Sequence, residues 1–399
     1  MWFEIEWFES ENFLKGKISK IEQLSNPIKI ASFDLDDTLI KRPKTGEKKW
    51  ELLHKDVVDK IASLTERGYI IVIFSNQGGM GFGCRRIDIS SWKESAEFFV
   101  KELMRKSKKY YFAIYVAKNY DLYRKPNIGL WEQMKVDLKS EFKIEKIHIS
   151  KKSFYVGDAA GRLKPGEFRK KLYPKSTKGD FSDVDRKFAL NVGITFMTPE
   201  EFFTGKKSKI PFRLSGVDPW DLTLIQSKEN FLFIPREKEM IIVVGPPGAG
   251  KTEFVEKYIL PHKYIYVSQD VCKSKEKCKR IVTDALKNGS SVVIDGTHPD
   301  TLSRMAYTSL AKKYGYENIR CIVLNTDIQI AKHLNNVRHV YSGGVIPKVS
   351  EIAYIKFKNN FVYPQKSEYF DKIENVNFIF DLTKLKNPLW KKIFMRWSE

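Results

Sequence analysis

Three carboxylates and a hydroxyl lie within five residues of one another near the start of the chain. The segment 32–40 reads S-F-D-L-D-D-T-L-I and directly follows the apolar run at 28–31. Side chains two apart on a strand share a face, and ligands of open α/β sheets bind at the carboxyl ends of the strands. Asp34 and Asp36 are therefore placed to converge on one metal ion and one phosphate. The alternative is an ordinary turn with capping carboxylates.

Three later segments place further polar groups at the ends of predicted strands. Ser75 and Asn76 end one apolar segment, and the glycines behind them leave backbone N–H groups for a phosphate. Arg124 and Lys125 follow a second apolar segment, and Asp158 ends a third. Singly, these residues are equally suited to turns, surface charge and helix capping. Together they favour one catalytic site at a sheet edge.

A glycine-rich segment in the second half fits the pattern G-x-x-x-x-G-K-[ST]. It follows an apolar strand at 240–244 and precedes a helical run, which is the context that the pattern requires. Its backbone N–H groups are expected to surround nucleotide phosphates, its lysine to reach the β and γ positions, and its threonine to bind magnesium. The alternative is a glycine-rich turn. The segment consists of Gly245, Pro246, Pro247, Gly248, Ala249, Gly250, Lys251 and Thr252.

Two other strand ends in this half carry carboxylates, and a later helix carries a cation. Asp270 follows one predicted strand and is placed to accept a proton from an attacking hydroxyl. Asp295 follows another, with Thr297 close behind it. Arg338 precedes a Gly-Gly loop and is placed to fold over a triphosphate as a lid residue.

These residues are connected by an alternation of strands and helices, which is typical of an α/β fold. In the first half, strands are predicted at 28–34, 69–74, 111–116, 154–157 and 188–192, and helices at 55–67, 90–107, 127–140 and from 199. In the second half, strands are predicted at 240–244, 264–267, 292–295, 320–324 and 377–380, and helices from 252 and at 275–288, 301–314, 327–337 and 350–360. Residues 1–27 have no decisive pattern and are compatible with an extra strand.

Composition supports an intracellular, soluble protein. The 399 residues allow two or three domains, and 42% hydrophobic content suits a folded chain. The four cysteines form no C-x-x-C pair, and no apolar run approaches the length of a membrane helix. Both halves share in the net charge of +21, which fits a polyanionic ligand such as nucleic acid. A lysine-rich, solubilising surface is the alternative.

The first half resembles the phosphatase domain of the polynucleotide kinase 3′-phosphatases, a branch of the haloacid dehalogenase-like phosphatases. The similar segments are F-D-L-D-D-T-L-I, F-S-N-Q, L-Y-R-K-P, F-Y-V-G-D-A-A-G-R and D-R-K-F-A-L-N-V-G. The resemblance implies the following roles: Asp34 as nucleophile, Asp36 as acid and base, Ser75 and Lys125 as phosphate ligands, Asp34, Asp36 and Asp158 as magnesium ligands, and Asn76, Arg85, Arg86 and Arg124 as nucleic-acid contacts.

The second half resembles the kinase domain of the same family. The resemblance implies Asp270 as general base, Arg338 as a lid residue at the nucleotide, and Asp295, Thr297 and Arg304 as contacts of the acceptor. Two departures are visible: Gln269 stands where relatives place Arg, and Gly296 and His298 stand where relatives place Asn. In the first half, Asp37 stands where the family often has Gly, a mild change because Asp tolerates tight backbone conformations.

We therefore expect a haloacid dehalogenase-like Rossmannoid domain followed by a P-loop NTPase-type α/β domain. The predicted boundaries are an N-terminal extension at 1–27, the phosphatase at 28–204, a linker or interdomain seam at 205–238, and the kinase at 239–399. Residues 1–27 are too short for the forkhead-associated arm of larger relatives, so recruitment through a phosphopeptide is not expected.

The expected activity is end healing: hydrolysis of 3′-phosphates and phosphorylation of 5′-hydroxyls with Mg²⁺ and ATP. The expected partners are DNA or RNA ends in nicked or gapped duplexes, bound by a monomer in the nucleus or cytoplasm. Three alternatives stay open: action on RNA ends, action on small metabolites, and a non-catalytic nucleic-acid-binding scaffold.

Overall fold

Two large, mainly parallel β-sheets, one in each half of the chain, position the polar residues described above. The computed structural model describes residues 4–41, 50–81, 87–172, 177–222, 231–377 and 387–398. The chain divides into a first unit, made of residues 1–215 and 396–399, and a second unit of residues 216–395. Parallel strands dominate both sheets, and the predicted α/β fold class is confirmed.

The first unit contains nine described strands and six described helices. The strands are β1 (Glu6–Glu9), β2 (Phe13–Ser19), β3 (Lys29–Phe33), β4 (Ile40–Lys41), β5 (Glu51–Leu52), β6 (Tyr69–Asn76), β7 (Tyr111–Ala117), β8 (Phe154–Val156) and β9 (Thr195–Met197). The helices are α1 (Val57–Glu66), α2 (Ile89–Met104), α3 (Gly129–Glu141), α4 (Glu167–Leu172), α5 (Val184–Val192) and α6 (Pro199–Thr204). Seven strands form a sheet in the order β1-β2-β7-β6-β3-β8-β9, and β4 pairs with β5.

Alternating apolar side chains build a core on each face of this sheet. In β6, Ile71 and Ile73 join the core on one face, whereas Ile70, Val72 and Phe74 join the core on the other. Such strands are buried on both faces because helices cover them, and they therefore read as continuous apolar runs. The catalytic residues predicted at the ends of β3, β6, β7 and β8 thus belong to four neighbouring strands of one sheet.

The N-terminal residues extend this sheet at its edge. β1 and β2 are antiparallel, and β2 pairs antiparallel with β7 from Phe13 to Ser19. Residues 4–19 therefore contribute strands to the same sheet as the catalytic segments. At the other end of the unit, α6 begins where the sequence predicts: Thr198 and Glu201 form a reciprocal capping box, with Pro199 at the first helical turn.

The predicted strand at 188–192 is wrong, because these residues form the second half of α5. The segment F-A-L-N-V is a short apolar run, and its length alone does not separate a buried strand from a helix. Phe188 and Ala189 face the core, and the helix ends at Gly193, whose φ of 82° suits a left-handed cap. The edge strand is formed instead by β9, immediately afterwards.

The second unit is built on a five-stranded parallel sheet. Its strands are β10 (Glu239–Val244), β11 (Ile265–Ser268), β12 (Val292–Asp295), β13 (Asn318–Asn325) and β14 (Lys372–Asn377). Its helices are α7 (Pro219–Leu222), α8 (Lys251–Tyr258), α9 (Gln269–Cys272), α10 (Lys275–Lys287), α11 (Thr301–Lys313), α12 (Ile328–Tyr341), α13 (Glu351–Asn360) and α14 (Pro388–Phe394).

The strand order β11-β12-β10-β13-β14 places the glycine-rich segment after the central strand. Met240, Ile242 and Val244 face one core, and Ile241 and Val243 face the other. The strand predicted at 377–380 lies mostly outside the described residues, and β14 ends at 377. None of the described helices combines the length and apolar character that spanning a bilayer requires.

Candidate active sites

The first site lies at the carboxyl end of β3, where Asp34 is the first residue after the strand. Its backbone N–H donates to the Val156 carbonyl of β8 at 2.8 Å, which fixes the chain as it leaves the sheet. The Asp34 side chain is buried, whereas Asp36 is partly exposed. Asp37 has a φ of 54°, a left-handed conformation that Asp adopts more readily than most residues. The departure from Gly is therefore accommodated.

Lys125 links two carboxylates beneath this strand end. Its Nζ donates to Asp34 Oδ1 and Asp185 Oδ1, both at 2.7 Å, and to the Tyr155 hydroxyl at 2.8 Å. Burial lowers the pKa of this ammonium group, but the carboxylates of Asp185 and Asp34 outweigh burial and leave the pKa raised. Lys125 therefore stays charged beside Asp34.

Asn76 fixes the backbone from which Lys125 extends. Its side-chain oxygen accepts from the Lys125 N–H at 2.9 Å, and its amide nitrogen donates to the Lys125 carbonyl at 3.1 Å. This two-point contact supports a positioning role for Asn76 rather than the predicted direct contact with nucleic acid.

Asp34, Asp158 and Asp185 form a buried carboxylate cluster. One oxygen from each lies within 4.8 Å of the others, and this is the only such group found among the described residues. Burial raises the pKa of Asp34 to about 7, and it raises the pKa of Asp158 well above its usual range, with Asp185 adding to both shifts. Asp158 Oδ2 is buried and accepts no hydrogen bond from the part of the chain that the structure describes. Burial and mutual repulsion make it unfavourable for these carboxylates to be ionised without a partner. A hard divalent cation, which binds carboxylate oxygens, would supply the missing positive charge.

The Asp36 side chain points to a different neighbour. Gln77 Nε2 donates to Asp36 Oδ2 at 2.7 Å and to Ser75 Oγ at 3.0 Å, so one amide links the two predicted residues. Asp36 lies outside the carboxylate cluster, and its predicted role as a metal ligand through this carboxylate gains no support. Gln77 is the last residue of the segment F-S-N-Q, and the site predicted from the sequence does not include it.

Asp185 is the main residue of this site that the sequence reasoning missed. It lies in the first turn of α5, and its Oδ2 accepts from the Ala159 N–H at 3.0 Å. The apolar run at 188–192 predicts a strand, which leaves Asp185 in the loop before it. The available signal was that Asp185 is the first residue of the family-like segment D-R-K-F-A-L-N-V-G and lies at the start of an amphipathic helix.

Of the three arginines predicted to contact nucleic acid at the first site, the structure describes Arg124. The Arg124 guanidinium stacks on Tyr120, with its central carbon 4.1 Å from the ring centroid. Arg85 and Arg86 lie outside the described residues.

The second site is the glycine-rich loop between β10 and α8. Gly248 and Gly250 have φ values of 77° and 84°, which glycine adopts without strain. Lys251 Nζ donates to the carbonyls of Gly245 and Pro246 at 3.1 and 2.8 Å. Burial lowers the pKa of Lys251 to about 8, although Asp295 and Asp270 act in the opposite direction. A bound polyphosphate would supply the anionic partners that this lysine lacks in the loop.

Asp295 contacts the P-loop threonine. Thr252 Oγ1 donates to Asp295 Oδ2 at 2.7 Å, and the Tyr266 hydroxyl donates to the same oxygen at 2.9 Å. In P-loop enzymes a magnesium ion is held by the loop Ser or Thr together with an Asp from a nearby strand. The geometry of Asp295 therefore supports a role beside the nucleotide's metal rather than the predicted acceptor contact.

Asp270 and Arg338 approach Lys251 from α9 and α12. Both influence the pKa of Lys251 electrostatically, and both are exposed, as a base and a lid cation must be. Ser268 caps the N-terminus of α9, which places Asp270 in the first turn. Arg338 Nη2 donates to Asn335 Oδ1 at 3.2 Å in the last turns of α12.

Arg304 does not reach the surface. It is fully buried, and its Nε and Nη2 donate to the two oxygens of Glu368 at 2.7 and 2.8 Å. Its Nη1 donates to the His298 carbonyl at 3.0 Å. This geometry contradicts the predicted acceptor contact and supports a structural role that holds the 296–298 loop.

Gly296 and His298, the two residues of the 296–298 loop that depart from the family pattern, are sterically compatible with each other. A Cβ atom on Gly296 would lie 2.5 Å from His298 Nε2, so the imidazole occupies space that a side chain at position 296 would need. Burial lowers the pKa of His298 to about 4, and its ring is therefore neutral near pH 7. Thr297 lies between them, partly exposed, and its carbonyl accepts from the Gly245 N–H at 3.4 Å.

Comparison with known proteins gives matches over one unit and over the whole chain. Residues 29–203 match the family model described as polynucleotide kinase 3 phosphatase. A protein of Acanthamoeba polyphaga mimivirus, provisionally named as a bifunctional polynucleotide phosphatase/kinase, is 51% identical over 403 residues, which cover 99% of this chain and 95% of the relative. A Schizosaccharomyces pombe protein named as a bifunctional polynucleotide phosphatase/kinase is 32% identical over 94% of this chain and 85% of the relative. A polynucleotide 3′-phosphatase of Arabidopsis thaliana is 32% identical over 49% of this chain and 26% of the relative.

Proposed function

The chain belongs to the family of bifunctional polynucleotide phosphatase/kinases, and from this premise we propose that it removes 3′-phosphates and phosphorylates 5′-hydroxyls at nucleic-acid ends. The observation that carries the proposal is the pairing of Asp34 with a charged, buried Lys125 at one strand end, in a chain that also carries a P-loop. The product ends, a 3′-hydroxyl and a 5′-phosphate, are those that a ligase joins.

The phosphatase reaction uses Asp34 as the nucleophile. Its carboxylate oxygen attacks phosphorus, the bond from phosphorus to the 3′ oxygen breaks, and Asp36 donates a proton to that leaving oxygen. Asp36 then takes a proton from the water that attacks the aspartyl phosphate, and inorganic phosphate leaves. Gln77 holds Asp36 in place for both transfers, and Lys125 faces the negative charge of the phosphoryl group.

The kinase reaction uses Asp270 as the general base. The 5′-hydroxyl oxygen attacks the γ-phosphorus of ATP, Asp270 accepts the hydroxyl proton, and ADP leaves. Lys251 and the loop N–H groups bind the phosphates, and Arg338 covers them. Magnesium would be held by Asp34, Asp158 and Asp185 in the first unit and by Thr252 beside Asp295 in the second; when bound, it neutralises charge on the phosphoryl oxygens.

The test follows both ends of one substrate. A nicked duplex with a 3′-phosphate and a 5′-hydroxyl is incubated with Mg²⁺ and ATP, and each end is measured separately. Asp34→Asn should abolish dephosphorylation and spare phosphorylation, and Lys251→Ala should do the reverse, because each unit has its own chemistry. Losing a covalent nucleophile costs several orders of magnitude in rate.

Failure of either pattern would contradict the assignment. Near-normal phosphatase turnover by Asp34→Asn would exclude Asp34 as nucleophile. Absence of both reactions in the wild type would leave the scaffold alternative, and activity on phosphorylated metabolites alone would support the metabolite alternative. Parallel DNA and RNA duplexes determine which polymer is preferred.

A further inference from the structure

An exposed tyrosine lies beside the phosphatase site. Tyr120 follows β7 in the loop that leads to Lys125, and 68% of its surface is exposed. Single exposed aromatic residues are common on proteins. What distinguishes Tyr120 is its position, because the chemistry takes place at the same end of the sheet.

Two contacts connect Tyr120 to the catalytic residues. The Arg124 guanidinium carbon lies 4.1 Å from its ring centroid, and Arg124 directly precedes Lys125, which binds Asp34. On the other strand end, a Cβ atom placed on Gly78 would lie 3.3 Å from the Tyr120 ring and 3.5 Å from Arg124 Nη1. Gly78 directly follows Gln77, which binds Asp36. Arg124 of this pair thus directly precedes the residue that binds Asp34, and the pair lies against Gly78, which follows the residue that binds Asp36.

Tyr120 presents an exposed aromatic ring at this strand end, and the partly buried Arg124 guanidinium packs against it. Proteins that bind unpaired nucleotides stack the bases on aromatic rings and guanidinium planes, and they contact the backbone with arginine. A 3′-phosphate held at Asp34 brings the base of its own nucleotide into this neighbourhood. Gly78 leaves room for the stack, because a side chain there would contact the ring closely.

We propose that Tyr120 is the platform on which the 3′-terminal base of the substrate stacks, with Arg124 bracing the ring and contacting the strand. The inference rests on the proposed phosphatase function and adds a residue that determines substrate specificity. It distinguishes ends with an intact terminal nucleotide from phosphate esters that carry no base. The interaction concerns binding, so its effect falls on KM more than on kcat.

The experiment compares three substrates: a 3′-phosphorylated oligonucleotide with an intact terminal base, the same oligonucleotide with an abasic terminal residue, and p-nitrophenyl phosphate. For Tyr120→Ala we expect KM for the first substrate to rise at least about fivefold. The preference for the intact over the abasic end, measured as a ratio of kcat/KM, should collapse. Tyr120→Phe should retain the preference, because the ring remains.

Two further variants separate stacking from other effects. Tyr120→Leu keeps an apolar side chain without a π face and should lose the preference as Tyr120→Ala does, so the test does not depend on one variant folding. Phe98→Ala removes an aromatic residue of α2 that is 51% exposed, and it should keep the wild-type preference.

The inference is overturned if Tyr120→Ala and Tyr120→Leu discriminate between intact and abasic ends as the wild type does. The proposed function fails in a different way. In that case the wild type would hydrolyse p-nitrophenyl phosphate and leave the oligonucleotide 3′-phosphate untouched, which would overturn the stacking role as well.

Discussion

Lys125 and Lys251 are both buried beside phosphate-binding positions, yet their pKa values move in opposite directions. Burial lowers the pKa of both, but Asp185 and Asp34 more than reverse this effect at Lys125, whereas Lys251 bonds mainly to backbone carbonyls and its pKa falls to about 8. Lys125 is thus fixed in an ion-pair network before substrate arrives. Lys251 gains its full anionic environment only when a polyphosphate enters the loop.

Asp185 is expected to be required for phosphatase turnover, because it holds Lys125 against Asp34 and accepts from the Ala159 N–H. Asp185→Asn keeps the size and most hydrogen-bonding capacity of the side chain while removing its charge. We expect kcat for 3′-phosphate removal to fall by at least about 10-fold, because Asp185 both orients Lys125 and is one of the three carboxylates that would hold magnesium. Steady-state kinetics on a 3′-phosphorylated oligonucleotide measure this change, and the kinase rate should stay as in the wild type.

Asp137 provides a matched control in the same unit. It also binds a lysine and a tyrosine, Lys15 at 2.7 Å and Tyr115 at 2.8 Å, but it lies on α3 and outside the carboxylate cluster. Asp137→Asn should keep the phosphatase rate. Equal losses in both variants would mean that Asp185 acts only through stability.

Among the elements, α12 carries a buried histidine that makes stability depend on pH. His333 Nε2 lies 2.9 Å from the Phe394 carbonyl of α14, and burial lowers the pKa of His333 to about 4. In the unfolded chain this histidine binds a proton near pH 6.5, whereas in the folded protein it does so only near pH 4. The free energy of unfolding therefore decreases as the pH falls through this range.

The corresponding prediction compares the wild type with His333→Gln, whose amide retains a donor for the Phe394 carbonyl. At pH 5 this histidine should cost the wild type about 2 kcal/mol relative to pH 7.5. Thermal unfolding across that range should therefore show a steeper fall in Tm for the wild type than for His333→Gln. Parallel curves would show that His333 does not titrate as expected, since His298 is present in both proteins.

Two exposed lysines follow the candidate base where α9 ends and α10 begins. Lys273 and Lys275 lie within five residues of Asp270 and are exposed, and Lys275 is among the cations that add to the main effect of burial in lowering the pKa of His298. Because both lysines are exposed and close in sequence to Asp270, we expect them to supply the positive charge that the neutral Gln269 does not. The acceptor strand is therefore expected to contact the start of α10.

This expectation is tested by a Lys273→Gln, Lys275→Gln double variant. Each lysine that neutralises a phosphate contributes about 0.9 to the slope of log affinity against log salt, so the slope should become shallower and KM for the 5′-hydroxyl strand should rise. A Lys312→Gln, Lys313→Gln pair, at the far end of α11, serves as control. An unchanged salt slope in the first pair would remove these lysines from the binding surface.

In the molecule as a whole, residues near the C-terminal end belong to the first unit. Asn191 of α5 binds Trp397 through two hydrogen bonds of 2.7 and 2.8 Å and also donates to the Pro126 carbonyl. Lys187 donates to the Ser398 carbonyl at 3.0 Å and pairs with Asp183. These contacts lie on the same helix as Asp185, so the C-terminal residues brace an element of the phosphatase site.

Removing the Asn191 side chain should therefore affect the first unit selectively. Asn191→Ala leaves backbone groups of Trp397 and Pro126 without their partner, at a cost of about 1–3 kcal/mol. We expect thermal inactivation of the phosphatase to occur at a lower temperature than in the wild type while the kinase is inactivated as before. Equal shifts in the two activities would contradict a local role.

The sequence alone was enough to identify two groups of candidate site residues: those at the ends of predicted strands, and those of a loop whose function depends on fixed spacing along the chain. Asp34, Asp36, Lys125 and Asp158 were identified because parallel strands bring their carboxyl ends to one edge, and the P-loop because its glycines and lysine act within eight residues. These features depend on spacing along the chain, which the sequence displays directly.

Only the tertiary structure decided how distant residues combine. Asp185 reaches Lys125 from 60 residues away, and Glu368 holds the buried Arg304 from 64 residues away. Such pairs arise from packing between elements, and no local pattern distinguishes a buried ion-paired arginine from an exposed one. The same limit explains the error at 188–192: a short apolar run suits a strand or a helix face equally, and the packing of Phe188 against neighbouring elements decides between them.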